Sequence, residues 1–245
     1  MRTTLLFSLV SLPAWAALTV TGMVTDKGTT LRAQQFYQGD SFRVDMRKPG
    51  ATTDEVSLIY LGRARKFQIV TPAQKSYLEI TETDMQRMLG LMMGINRPKT
   101  SPTDPGTLTF KAEGTRQVSK WSCTEHAVLT DGKKTGTVCV VPYTSVGAKA
   151  SDLLPIVSAA KSVDAFSKFG RVNVSLPPES LKKVLDLGFP VDFKGFDSQG
   201  KVQASFVLES IVAGGGLEKH FVPPAGYKRS ELMSLLNSVL TKKKK

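Results

Sequence analysis

From Leu18 to Thr81 the chain is written as six short runs of alternating side chains, punctuated too tightly to allow a crossover between them. In Leu18–Asp26, Leu18, Val20, Gly22 and Val24 fall on one side, and Thr19, Thr21, Met23 and Thr25 on the other. Lys27-Gly28 breaks the run and Thr30–Gln38 follows. After Gly39-Asp40, Phe42, Val44 and Met46 share one face while Arg43, Asp45 and Arg47 share the other. Val56–Leu61, Ala64–Thr71 and Ser76–Thr81 continue, separated by Gly62-Arg63 and Pro72-Ala73-Gln74-Lys75. A period of two makes these runs strands. Parallel neighbours would need long crossovers, so this third of the chain is an antiparallel meander with one wet and one packed face.

Helical punctuation follows. Thr81 or Thr83 can cap a helix from about Glu82 to Met93, with Asp84 in its first turn and Gly94 and Pro98 beyond its end. Arg97–Gly106 reads as a loop and Thr107–Ala112 as a strand. Trp121–Thr130 and Thr135–Pro142 form a hairpin around Asp131-Gly132. A second helix is expected over Ser151–Phe169, interrupted or started by Pro155, and a third over Pro177–Leu187. Val191–Asp197 and Lys201–Val212 pair through Ser198-Gln199-Gly200, and Gly214-Gly215-Gly216 ends that hairpin. Ser230 with Glu231 opens a last helix carrying Leu232, Leu235, Leu236, Val239 and Leu240. Strands and helices do not alternate regularly, which excludes a doubly wound parallel sheet. The expected fold is α+β: an open, strongly curved antiparallel sheet of about eleven strands, an incomplete barrel, with helices on its concave face.

The first sixteen residues have the order of a secretory leader. Arg2 is the positive region, Leu5–Leu12 the apolar one, and Ala14-Trp15-Ala16 the small-residue cleavage site. The expected division is a signal peptide over 1–16, a single domain over 17–241 and a basic tail over 242–245, with the mature protein in the periplasm or outside the cell. In an oxidising compartment the two cysteines, Cys123 and Cys139, are expected to form a disulfide. A three-residue loop over Thr130–Gly132 would set them directly opposite each other; a four-residue loop would require a bulge.

Chemistry-bearing motifs are scarce. Two histidines and two cysteines exclude most metal centres, and neither phosphate-binding glycine loops nor nucleophile elbows occur. No metal or cofactor is expected, and no enzymatic activity. A hydrolase would have to assemble His126 or His220 with Asp45, Glu79 or Glu125, all at polar positions of alternating strands where a solvated face explains them as well. The net charge of +12 includes four lysines at the terminus, Lys242, Lys243, Lys244 and Lys245. They read either as a solvated end or as an attraction to anionic lipid. No dense basic stripe remains elsewhere, and nucleic acid is not an expected partner. Met85, Met88, Leu89, Met92 and Met93 form the apolar side of the first helix. Methionine adapts to varied apolar partners, so this stripe either fills the core or lines and covers a cavity.

Phe42-Arg43-Val44-Asp45-Met46, Leu58-Ile59-Tyr60 and the hairpin from Gln68 to Glu79, with Lys75 and Tyr77 two apart, resemble a family of secreted bacterial proteins carrying a domain of unknown function. Trp121-Ser122-Cys123-Thr124 and the run from Phe221 to Tyr227 look like its second half. That family is similar to the periplasmic lipoprotein carriers and the outer-membrane lipoprotein receptor. The resemblance implies an incomplete antiparallel barrel whose helices close an apolar cavity. The leading expectation is non-enzymatic binding of a lipid or acyl chain, with Met85, Met88, Leu89, Met92 and Met93 as lid or lining. The alternative is an envelope interaction protein acting through its sheet face or basic tail.

Overall fold

The structure is a computed structural model that describes residues 17–84, 106–170 and 178–231. Twelve strands form one sheet: β1 (Leu18–Asp26), β2 (Thr29–Gln38), β3 (Ser41–Arg47), β4 (Val56–Leu61), β5 (Lys66–Thr71), β6 (Ser76–Thr81), β7 (Leu108–Val118), β8 (Trp121–Thr130), β9 (Lys133–Val141), β10 (Phe189–Phe196), β11 (Val202–Ala213) and β12 (Lys228–Glu231). Their spatial order is β12-β6-β5-β4-β3-β2-β1-β11-β10-β9-β8-β7. The sheet is open, as expected, with β12 and β7 as its edges. A 3₁₀ turn at Ala150–Leu153 leads into α1 (Leu154–Gly170), with Pro155 in its first turn, and α2 is Pro178–Leu187. Both helices pack on one sheet face, the inner one. Among the described residues no helix is long and apolar enough to cross a membrane.

The inner face is organised in transverse rows. Leu18, Tyr37, Phe42, Tyr60, Phe67 and Ile80 are directly opposite one another on six consecutive strands. The four aromatic rings succeed each other at 6.1, 5.9 and 4.9 Å between centroids, in the offset or tilted contacts that ring quadrupoles favour. Strict alternation makes this row: once one member faces inward, the register forces the rest.

Three expectations are corrected. Ser230 and Glu231 do not open a helix. They lie in β12, which runs parallel to β6 with Ser230 opposite Leu78 and Glu231 opposite Glu79, so the sheet is mixed and gains a twelfth strand. β7 runs on to Val118 because a bulge at Glu113, followed by Gly114 at φ 145°, absorbs one residue and lets pairing with β8 resume. The β8–β9 loop has two residues, Asp131 and Gly132, both at positive φ as a type I′ turn demands. A bulge at Thr135 then sets Cys139 opposite Glu125, so the Cys123–Cys139 disulfide links diagonal neighbours with Cα atoms 5.5 Å apart. Closing this loop contributes about 3 kcal/mol by restricting the unfolded chain.

The outer face of β2–β6 is not a wet face. Phe36, Ile59 and Val70 on that face pack with Phe221, Leu217, Tyr77 and Tyr227, so residues 217–231 form a strap across it. The His220 ring stacks on Phe36 at 4.2 Å. Arg43 donates to the His220 carbonyl at 3.0 Å, to Asp45 at 2.5 Å and to Ser57 Oγ at 3.2 Å. Glu79 accepts from Gln68 and Lys66 and pairs with Arg229 of the strap at 3.2 Å. Burial, then the charges of Arg43 and Lys219, hold the His220 pKa below 6.5 against the opposing pull of Asp45. Burial works to raise the Glu79 carboxyl, but the hydrogen bonds from Gln68 and Lys66 and the charges of Lys66 and Arg229 more than offset it, leaving it below 4.5. Both folded-state values are depressed. Each contribution is therefore present above the unfolded value and lost as pH falls through the folded one. Amide protection factors across residues 217–231 are expected to fall in two steps, the first below about pH 6.5 and the second below about pH 4.5. His220→Gln should abolish the upper step and keep the lower one, and an upper step that persists in that variant would refute the assignment.

Candidate functional site

An apolar cavity of about 140 Å³ lies between the inner sheet face and the two helices. The sheet supplies Val20 from β1, Gln35 and Tyr37 from β2, Phe189 and Pro190 from β10, and Phe206 from β11. The helical side supplies Leu153 and Ile156, with Leu181 and Leu185 one turn apart on α2. Val184 of the same helix turns to a separate cluster with Val128, Val138 and Val140. The cavity floor depends on Gly22. A Cβ there would stand 2.5 Å from the Phe206 ring and 2.6 Å from the Val207 carbonyl, so glycine lets that ring lie against β1.

Gln35 and Tyr37 are the polar side chains of this lining, and no charged residue contributes to it. The Tyr37 hydroxyl donates to Gln35 Oε1. Burial raises the Tyr37 pKa well above 10.0, so the phenol keeps its proton and remains a donor. At the helical end the Tyr143 hydroxyl donates to the Leu185 carbonyl at 2.8 Å, and its ring meets Phe189 edge-on at 6.1 Å. A larger cleft of about 390 Å³ opens by the β2–β3 turn among Asp40, Arg63, Glu218 and Phe221.

The residues expected to form the lid, Met85, Met88, Leu89, Met92 and Met93, lie outside the described residues. The expected start of that helix is inside: Thr81 Oγ1 accepts from the Asp84 amide at 3.0 Å, and Asp84 Oδ2 accepts from the Thr81 amide at 3.0 Å. That reciprocal pair is a capping box with Thr81 as the N-cap. The leader and Lys242, Lys243, Lys244 and Lys245 also lie outside the described residues.

The structure sets Asp45 near His220, with Arg43 bonding both the His220 carbonyl and the Asp45 carboxylate, but it holds each candidate carboxylate in an ion pair of its own. Asp45 is held by Arg43, Glu79 by Lys66 and Arg229, and Glu125 by Arg116. Asp45 is also 7% exposed, buried rather than solvated as its strand position implied, because the strap covers it. His126 and Glu125 occupy opposite faces of β8, and the His220 ring faces Phe36. Among the described residues no group of three or more metal-ligating side chains is assembled.

Gln35 and Tyr37 were not singled out by sequence reasoning. Their signal was available: they share the inner face of β2 with Ala33, and a glutamine at such a position needs a partner or a purpose.

No protein-family model and no curated protein matches the chain. Solved structures similar to it include an uncharacterized conserved protein from Thermus thermophilus, with a TM-score of 0.48, 11% identity and coverage of 89% of this chain and 91% of that one. MucB of Pseudomonas aeruginosa, solved in complex with MucA, gives 0.42 at 9% identity; the match covers 86% of this chain and 57% of that one. A DUF1329 family protein from Desulfovibrio piger gives 0.31 at 8% identity, covering 86% and 90%. No function is carried over from them.

Proposed function

We propose that this is a non-enzymatic cell-envelope protein that binds an apolar, lipid-like ligand between its curved sheet and its helices. The observation that carries the reading is the uncharged cavity of about 140 Å³ walled by Phe189, Phe206, Leu181 and Ile156. A dry cavity of about 150 Å³ accommodates a molecule such as benzene, so the site takes the end or a segment of an acyl chain. The leader-like residues 1–16 and the Cys123–Cys139 disulfide support an envelope location. In this reading the stripe Met85, Met88, Leu89, Met92 and Met93 covers the part of the chain that the cavity leaves outside.

The test is native mass spectrometry of the protein purified from its own envelope, followed by organic extraction. The wild type is expected to carry an apolar adduct. Leu181→Trp, which fills the cavity at an overpacking cost of about 1–3 kcal/mol, is expected to lose it while keeping the far-UV circular dichroism of the fold. An adduct-free wild type, or undiminished loading in Leu181→Trp, would sink the proposal.

A further inference from the structure

The cavity holds one hydrogen-bond donor with no assigned use. Gln35 sits on β2 directly between Val20 of β1 and Val44 of β3, facing inward. Its amide oxygen is occupied by the Tyr37 hydroxyl. The Tyr37 hydroxyl engages the amide through its oxygen, which turns Nε2 away from the phenol. The Gln35 Nε2 group is thereby turned to the free side. Nε2 donates to no described residue, and it is not sealed off either: the buried partnerless side-chain atoms among the described residues are Gln38 Oε1 and Gln68 Oε1. Nε2 is thus accessible, and Gln35 is one of the residues that line the cavity.

Resting on the lipid-binding reading above, the geometry points to Gln35 as a selectivity residue whose amide N–H binds the carbonyl oxygen of an esterified or amide-linked acyl chain. An N–H donor in an apolar wall rewards a ligand that brings an acceptor, and leaves an unpaired polar group against one that does not. An ionised fatty acid also brings acceptors. Burying its carboxylate would require a cation, and the lining has none. The ligand class is thus the neutral acyl carbonyl of a lipid or acylated protein, not a free acid and not a bare hydrocarbon. Tyr37 is a positioning residue that fixes the amide.

The experiment uses delipidated full-length protein and isothermal titration calorimetry with methyl hexanoate, hexane and hexanoate at pH 7.5. Wild type is expected to bind the ester more tightly than hexanoate. Gln35→Met keeps the length of the side chain and removes the donor. It should weaken methyl hexanoate about tenfold, the usual value of one buried hydrogen bond, and leave hexane unchanged or tighter. Tyr37→Phe frees the amide to rotate and should weaken the ester by a smaller factor without affecting hexane; it carries the test if Gln35→Met does not fold. Equal losses for ester and hexane, no loss for either, or tighter binding of hexanoate than ester would overturn this inference while leaving the cavity as a ligand site. If wild type binds neither ester nor hexane, the lipid-binding reading itself falls, and this inference with it.

Discussion

Replacing Arg116 with methionine is expected to lower the unfolding free energy by about 3–5 kcal/mol, the cost of stranding a buried carboxylate. Arg116 lies on β7 opposite Cys123, and Asp192 lies on β10 opposite Cys139. The guanidinium reaches across the disulfide-linked strands to bond Asp192, and it donates to Glu125 at 2.7 Å. Ion pair and disulfide together cross-link four strands. The Asp192 side chain is 3% exposed, so water cannot replace the lost cation. Surface pairs in this protein, such as Lys48–Glu55, give at most about 1 kcal/mol because solvent screens both partners. Urea unfolding of the oxidised protein distinguishes the two regimes. Asp192→Asn introduced into the Arg116→Met background should recover part of the loss, since an amide is cheaper to bury than a charge. A loss below about 1 kcal/mol in the single variant would place this pair with the surface ones.

The same balance of local and tertiary terms explains what the sequence made visible. β1, β3, β4, β6 and β8 keep the bounds that alternation assigns them, because a period of two with tight turns leaves the backbone little choice. The buried half of the outer face was written there as well. Val56–Leu61 and Lys66–Thr71 carry Ile59 and Val70 opposite their inward Leu58, Tyr60, Phe67 and Ile69. Strands apolar on both sides signal a sheet covered on both sides. β12 gave no such signal. Lys228-Arg229-Ser230-Glu231 is polar throughout, and its strand conformation comes from parallel backbone bonding to β6 and the Arg229–Glu79 pair. The β8–β9 register turned on one bulged residue, Thr135, which no composition rule distinguishes from its neighbours.

The candidate site was legible as a type of place and not as a set of residues. A curved sheet with amphipathic helices against it must enclose apolar space, and the methionine stripe drew attention to one helix. Among the described residues the cavity is closed by α1 and α2, whose inward faces depend on how the two helices pack on each other and on β10. That is tertiary information. Gln35 gains its meaning only once Tyr37 is seen to hold its oxygen.

Phe189→Ala should be as costly as Arg116→Met in the empty protein and less costly in the loaded one. Phe189 opens β10 opposite Val141, is 2% exposed and meets the Tyr143 ring edge-on. Its truncation removes a fully buried aromatic side chain, a change that costs about 3–5 kcal/mol. Tyr143 remains anchored by the hydrogen bond its hydroxyl donates to the Leu185 carbonyl at 2.8 Å. The structure therefore cannot collapse freely into the gap, and the vacated volume joins the existing cavity. A ligand that binds only the folded state returns stability in proportion to its saturation. Urea titrations of delipidated Phe189→Ala with and without saturating hexane should show a larger ligand-induced gain than in wild type. A variant that loses the full amount, about 3–5 kcal/mol, and gains nothing more from hexane than wild type does would mean that the space left by Phe189 closes and does not belong to the ligand site.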